Sequence, residues 1–147
     1  MAAAGELGMA PKILRFPDGT RTAEQAAAAV GCELGQIVKS LVFLCDGEPV
    51  LALTSGANRV DTKRLGTLLG GRITRADADG VREATGYAIG GTPPFGHAQP
   101  LQAVVDPALL TYDTLWAAAG TPDTVFDLTP EQLVRASGAE VDEFAAD

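Results

Sequence analysis

The clearest pattern in the chain is a pair of apolar segments on either side of two turn-forming residues. Val38–Cys45 and Glu48–Thr54 are rich in valine, leucine and phenylalanine, and Asp46-Gly47 separates them. An Asp-Gly pair accepts the positive φ angles of a tight primed turn, whose twist matches that of two paired strands. The pattern therefore predicts a β-hairpin.

Helix-capping residues and glycines mark the helices. In a capping box, two side chains each accept a hydrogen bond from an otherwise unpaired amide at the helix start, and a glycine often ends the helix. Four helices are predicted on this basis. The first covers residues 23–30, after the box Thr22–Gln25 and before Gly31, and the second covers residues 62–69, between Asp61 and Gly70-Gly71. The third is a short helix from Asp77 to before Thr85, and the fourth starts with the box Thr129–Gln132 and ends at Gly138.

Further strands are predicted at Arg72–Ala76, Tyr87–Gly90, Leu101–Asp106 and Asp123–Leu128. Residues 112–118 are ambiguous, because their alanines favour a helix while Leu115 and Trp116 suit a strand. A regular alternation of strand, helix and strand is absent. We expect a single α+β domain over residues 1–147, with a largely antiparallel mixed sheet flanked by short helices and a flexible tail at residues 1–10.

The net charge of −8 is unevenly distributed. Residues 1–100 hold ten basic and ten acidic side chains, whereas residues 101–147 hold nine acidic side chains and Arg135. Because salt screens charges beyond about 8–10 Å, a local basic cluster can bind phosphate on an acidic protein. Five basic residues face Asp61 alone between positions 51 and 75: Arg59, Lys63, Arg64, Arg72 and Arg75. They form a candidate RNA-binding strip, with a solvated helix face as the alternative.

Several kinds of site find no support in the sequence. His97 is the only histidine, no G-x-S-x-G motif is present, and Cys32 and Cys45 lack metal-ligand spacing. We therefore expect no metal and no cofactor. No apolar run approaches the roughly 20 residues that span a bilayer, and the first residues do not resemble a signal peptide. With two cysteines interpreted as reduced thiols, the expected location is the cytoplasm.

Two features could carry chemistry. Lys39 is the only charged residue in the apolar stretch Ile37–Cys45, although it could simply face water at a strand edge. The loop GGTPPFG, residues 90–96, combines glycines, which let backbone amides approach a ligand, with prolines, which hold the loop rigid. Such preorganised amides could stabilise an oxyanion, and a stiff connection between strands is the alternative.

Together these features resemble a known family. IVKSLVF (Ile37–Phe43), followed about fifty residues later by TGYAIGGTPPFG (Thr85–Gly96), looks like the YbaK and prolyl-tRNA-synthetase-associated editing domains. The segments LTSGANRVDTKRLGTLLGG, VVDPALL and VFDLTPEQL fit the same pattern. The resemblance extends from about Thr22 to Phe144.

The resemblance implies hydrolysis of the ester that joins a mismatched small amino acid to the 3′ end of a tRNA. It implies a separate protein that acts in trans, with the tRNA acceptor end as partner and an aminoacyl-tRNA synthetase as a further possible one. The implied site residues fall into two groups: the catalytic Lys39, Gly90, Gly91 and Thr92, and the substrate-binding Asn58, Pro93, Pro94, Phe95, Gly96 and His97. Lys39 would hold the terminal phosphate or the reacting end of the substrate. Pro93 departs from a loop of amide donors, because proline has no N–H.

Three functions remain open at this point. The first is hydrolysis of tRNA mischarged with alanine, cysteine, serine or threonine, by a positioned water and backbone amides rather than a protein nucleophile. The second is a non-catalytic module that binds tRNA or a synthetase. The third is hydrolysis of another small acyl ester, which would not depend on the RNA.

Overall fold

The computed structural model describes residues 13–15, 23–86, 101–118 and 124–146. Within these ranges the strands are β1 (Ile13–Arg15), β2 (Ile37–Cys45), β3 (Glu48–Ser55), β4 (Ile73–Arg75), β5 (Gln102–Val105), β6 (Leu115–Ala118), β7 (Thr124–Leu128) and β8 (Glu140–Val141). The α-helices are α1 (Ala23–Val30), α2 (Thr62–Leu69), α3 (Ala78–Thr85) and α4 (Pro130–Ser137), and short 3-10 helices cover Leu34–Gln36 and Pro107–Thr111.

The eight strands of these described ranges form one mixed sheet in the order β1-β7-β6-β2-β3-β5-β8, with β4 paired to β2. The longest pairing is the antiparallel β2–β3 hairpin. Parallel pairings join β2 to β6, β3 to β5 and β5 to β8. The predicted α+β fold with a mixed sheet is confirmed.

The hairpin turn has the geometry that its two residues predict. Asp46 has a φ of 50° and Gly47 a φ of 84°, and Cys45 pairs directly with Glu48. Positive φ at both central positions is the requirement of a type I′ turn. The predicted hairpin is confirmed, with each strand one residue longer than its apolar pattern indicates.

Three of the predicted helix caps form in the described residues. The Asp61 side chain accepts hydrogen bonds from the amides of Lys63 and Arg64, and Asp77 accepts one from Gly80. Thr129 and Gln132 make the reciprocal bonds of a capping box. Thr22 of the first predicted box and the predicted strand Tyr87–Gly90 lie outside the described residues. The ambiguous stretch 112–118 contains strand β6, which pairs with both β2 and β7.

Helices cover both faces of the sheet. On the first face, the odd-numbered positions of β2 pack against α1 and α2, in clusters that include Ile37 and Phe43. On the second face, Val38 and Val42 of β2 pack in the main core with Val81 of α3 and Leu133 of α4. Lys39 therefore projects from the first face, between the cluster under α1 and the cluster under α2.

Candidate functional site

Lys39 lies near the open end of the central hairpin, where β2 begins and β3 ends. It pairs with Thr54 across the hairpin, so both side chains are on the first face. Its neighbours on that face, Ile37 and Leu41, belong to the two apolar clusters. The lysine is half-buried rather than fully exposed at the strand edge. The alternative of a freely solvated side chain does not describe its surroundings.

The ammonium group of Lys39 is held by a backbone carbonyl. Lys39 Nζ donates a hydrogen bond of 2.5 Å to the carbonyl oxygen of Asn58, in the loop after β3. Burial lowers the pKa of Lys39 below its ordinary value, the nearby Arg59 lowers it further, and Glu24 and Asp106 act in the opposite direction. An ammonium has three donors, so this one bond leaves two N–H groups for a ligand.

Asp106, directly after β5, belongs to the candidate site and is not among the site residues that the sequence predicts. The residue is only 2% exposed. Oδ2 accepts hydrogen bonds from Asn58 Nδ2 at 2.8 Å and from the Ser55 amide at 3.2 Å, and Oδ1 accepts one from the Ala108 amide at 3.0 Å. The sequence feature that could have indicated Asp106 is its position directly after an apolar strand. A chain of contacts therefore joins Asp106 to Lys39 through Asn58.

Lys39, Thr54 and Asp106 take adjacent positions across β2, β3 and the end of β5. Leu53 of β3 pairs with Val105 of β5, which brings Asp106 beside Thr54, the partner of Lys39. Thr54 is fully buried, and in the part of the chain that the structure describes its hydroxyl has no hydrogen-bond partner. We call Lys39, Thr54, Asn58 and Asp106 the polar edge. It is a group of buried and half-buried polar side chains beside two apolar clusters.

The second predicted component of the site is the loop of residues 90–96 with His97 directly after it. Gly90, Gly91, Thr92, Pro93, Pro94, Phe95, Gly96 and His97 all lie outside the described residues. Their predicted roles stay predictions.

The five basic residues occupy two places. Arg59 precedes α2, and Lys63 and Arg64 lie in its first turn, where all three are exposed. Arg64 is partly engaged, since it contacts Asp61 at 3.8 Å and donates to the Ala145 carbonyl at 2.8 Å.

Arg72 directly precedes β4 and Arg75 is its last residue, near the hairpin turn. Arg75 pairs with Phe43, four residues along β2 from Lys39, which corresponds to about 13 Å at roughly 3.3 Å per residue. The structure thus brings Arg59 close to Lys39 and leaves Arg72 and Arg75 toward the other end of the hairpin.

Neither a metal cluster nor a membrane span is found in the described ranges. Within residues 13–15, 23–86, 101–118 and 124–146, no group of three or more histidine, cysteine, aspartate or glutamate side chains could hold a metal ion. No helix in the same ranges is long and apolar enough to cross a membrane.

Residues 17–136 match the family model of the aminoacyl-tRNA editing domain, a match that includes Lys39, Asn58 and Asp106. The chain belongs to the aminoacyl-tRNA editing domain family. The polar edge is therefore part of an editing domain, as the resemblance in the sequence indicates.

Individual relatives of this editing domain agree with the family match. A crystal structure of a protein described as a candidate trans-editing enzyme for prolyl-tRNA synthetase is 46% identical, with a TM-score of 0.94 over 99% of this chain and 94% of that one. The uncharacterized protein YwhH of Bacillus subtilis strain 168 is 32% identical over 88% of this chain and 83% of its own length.

A longer relative contains a homologous segment. The proline–tRNA ligase of Maridesulfovibrio salexigens is 36% identical over 107 residues, which are 72% of this chain and 18% of the ligase. The matched region thus corresponds to a minor part of that ligase.

Proposed function

We propose that this chain is a trans-editing deacylase that acts in the cytoplasm on mischarged tRNA. It hydrolyses the ester between a wrongly attached small amino acid, such as alanine, cysteine, serine or threonine, and the 3′ end of the tRNA. The observation that carries the proposal is Lys39, a half-buried ammonium held by the Asn58 carbonyl in a chain that belongs to the editing-domain family. The likeness to a candidate trans-editing enzyme over nearly its whole length supports action as a separate protein.

The chemistry requires positioning more than a protein nucleophile. Water adds to the acyl carbon and releases a proton, a tetrahedral oxyanion forms, and the bond to the ribose oxygen breaks as that oxygen takes up a proton. An aminoacyl ester is already activated, so orientation and stabilisation of the oxyanion lower most of the barrier. We assign the positive charge to Lys39, which holds the terminal phosphate or the reacting end of the substrate.

The loop of residues 90–96 and His97, which follows it, supply the remaining groups in this proposal. The amides of Gly90, Gly91 and Thr92 stabilise the oxyanion, and Pro93 to His97 shape the acyl pocket. The side-chain amide of Asn58 is committed to Asp106, so Asn58 contributes mainly through the carbonyl that holds Lys39.

The RNA is bound by exposed basic residues just before α2 and in its first turn. Arg59 and Lys63 are exposed, and Arg59 is near enough to lower the pKa of Lys39. Each phosphate contact that is lost reduces the slope of log binding constant against log salt by about 1. We expect this reduction for Arg59→Ala and for Lys63→Ala. The control is Arg135→Ala on α4, which covers the second face of the sheet.

A panel of mischarged tRNAs tests the proposed reaction. tRNAs charged with alanine, cysteine, serine or threonine are incubated with the wild-type protein, and release of the labelled amino acid is followed. Release above the buffer rate for at least one member supports the proposal, and release at the buffer rate for all of them overturns it. Salt-sensitive tRNA binding without release would identify a non-catalytic module instead.

A truncated substrate separates tRNA editing from general esterase activity. The aminoacyl ester of adenosine alone keeps the reacting bond but lacks the phosphates of the acceptor arm. We expect its kcat/KM to fall well below that of the charged tRNA. Equal values would contradict a tRNA-directed enzyme and support hydrolysis of small acyl esters.

A further inference from the structure

Asp106 is more buried and more heavily bonded than its place after a strand requires. A buried carboxylate is unfavourable unless donors surround it, and Asp106 has three. Oδ1 accepts from the Ala108 amide and caps the short helix Pro107–Thr111. Oδ2 is not needed for this cap, and it binds the loop that follows β3.

Asn58 is the element of that loop that links Asp106 to Lys39. Its backbone N–H donates to the Ser55 carbonyl at 2.9 Å, and its side-chain Nδ2 donates to Asp106 Oδ2 at 2.8 Å. The residue is thus held by its backbone and by its side chain. Its carbonyl oxygen accepts the bond from Lys39 Nζ. The position of this carbonyl depends on the contact between Asn58 and Asp106.

The loop after β3 packs closely against the start of β2, which further restricts the position of Asn58. The Gly56 amide donates to the Ile37 carbonyl at 2.7 Å. A Cβ on Gly56 would come within 2.5 Å of the Leu34 carbonyl oxygen. The loop therefore lies directly against the start of β2, two residues before Lys39, and has little room to shift.

We infer that Asp106 is a positioning residue for Lys39, and that it acts through Asn58. This inference rests on the proposed function, because it assigns Asp106 a task in the same site. A lysine ammonium is carried on a flexible stem of four methylene carbons and has no fixed orientation of its own. The bonds from Asp106 to Asn58 and from Asn58 to Lys39 confine the ammonium, so that its remaining donors point at the substrate.

Three variants test the inference. Asp106→Asn keeps the size of the side chain but replaces one acceptor oxygen by an amide donor, so it cannot accept all three bonds. Asn58→Ala removes the link to Asp106 and keeps the backbone carbonyl. Asp113→Asn is the matched control, because it makes the same change at an exposed aspartate.

The first readout does not depend on activity. The chain has three lysines, Lys12, Lys39 and Lys63, so NMR of isotope-labelled lysine side chains resolves Lys39 directly. In Asp106→Asn and in Asn58→Ala we expect the Lys39 Nζ signal to move. In Asp106→Asn its pKa falls further, because a negative group that raises it has been neutralised. Asp113→Asn leaves the Lys39 signal in place.

The second readout is a double-mutant cycle in deacylation. A displacement of about 1 Å in a site can cost about 10²-fold in rate, so we expect Asp106→Asn to lower kcat roughly tenfold with little change in KM. In a Lys39→Ala background the same substitution has no further effect, because the group that it positions is absent.

The two readouts separate the possible failures. An unchanged Lys39 signal in folded Asp106→Asn and Asn58→Ala, or an equal fold loss of kcat with and without Lys39, overturns the positioning role. If Asp106→Asn does not fold, the NMR result for Asn58→Ala decides. A wild-type protein that releases no amino acid overturns the proposed function, while the NMR spectra still test the contact between Asp106 and Lys39.

Discussion

The two ends of the β2–β3 hairpin are built from different kinds of contact. At the turn end, Asp46 and Gly47 close the chain locally, and β4 and Phe43 complete an apolar cluster. The side-chain bond there, from the Arg72 amide to Asp46 Oδ1, is exposed. At the polar edge, Lys39, Asn58 and Asp106 come from separate segments and are joined by side-chain hydrogen bonds.

Under the proposed function, this difference separates stability from activity within one pair of strands. Apolar burial at the turn end lowers the free energy of the folded state and requires no particular ligand. The polar edge keeps a partly buried ammonium whose pKa is lowered by burial, which is unfavourable for the charged form. We therefore expect substitutions at the turn end to change stability and substitutions at the polar edge to change activity.

The largest expected effect on stability comes from Phe43→Ala. Phe43 is 9% exposed in the cluster that includes Leu65 and Phe144. Removing its ring should lower the free energy of unfolding by about 3–5 kcal/mol, measured by urea denaturation. The control Leu110→Ala removes an exposed side chain and should change it by no more than about 0.5 kcal/mol.

The same variant tests how separate the two ends are. Under conditions where Phe43→Ala is folded, we expect its kcat/KM for deacylation to equal that of the wild type. A loss of activity as large as that of a Lys39 variant would show that the two ends of the hairpin are coupled, and would contradict the comparison.

A smaller effect is expected for Gly47→Ala in the turn. Gly47 has a φ of 84°, and a Cβ there would meet no atom within 4 Å, so the expected cost is backbone strain alone. Such strain is typically about 1 kcal/mol, and urea denaturation measures it. Asp46→Asn is the control, since asparagine also tolerates positive φ. A cost for Gly47→Ala no larger than that of this control would argue against the primed turn.

The contrast also explains which features could be predicted from sequence. The hairpin turn and the caps at Asp61, Asp77 and Thr129 depend on residues within four positions of one another, so their patterns are visible locally. The bonds at the polar edge join residues 19 and 48 positions apart. Lys39 is visible in the sequence as an exception to an apolar pattern, whereas the contacts of Asp106 depend on strand order that no local pattern contains.

The pH dependence of Lys39 is the smallest expected effect. Because burial lowers its pKa, Lys39 loses its proton at a lower pH than an ordinary lysine. Between the folded and unfolded pKa values the unfolded chain binds more protons, so this group increases stability as pH rises through that interval. Binding of the anionic RNA should weaken over the same interval.

A charge-preserving variant checks that interpretation. Arginine keeps its charge over the whole accessible pH range. tRNA binding by Lys39→Arg should therefore lack the decrease with rising pH that is assigned to Lys39. Binding measured against pH for both proteins gives the comparison. An identical step in Lys39→Arg would assign the pH dependence to another group.

Single-turnover hydrolysis of a mischarged tRNA by the wild type and by Lys39→Ala tests the central claim most directly. With the substrate from the panel that the wild type cleaves fastest, we expect Lys39→Ala to be slower by about 10²-fold, typical of losing one preorganised electrostatic group. Arg135→Ala, which removes a positive charge on the other side of the sheet, should match the wild type. A Lys39→Ala rate equal to that of the wild type would contradict the assignment of the site to the polar edge.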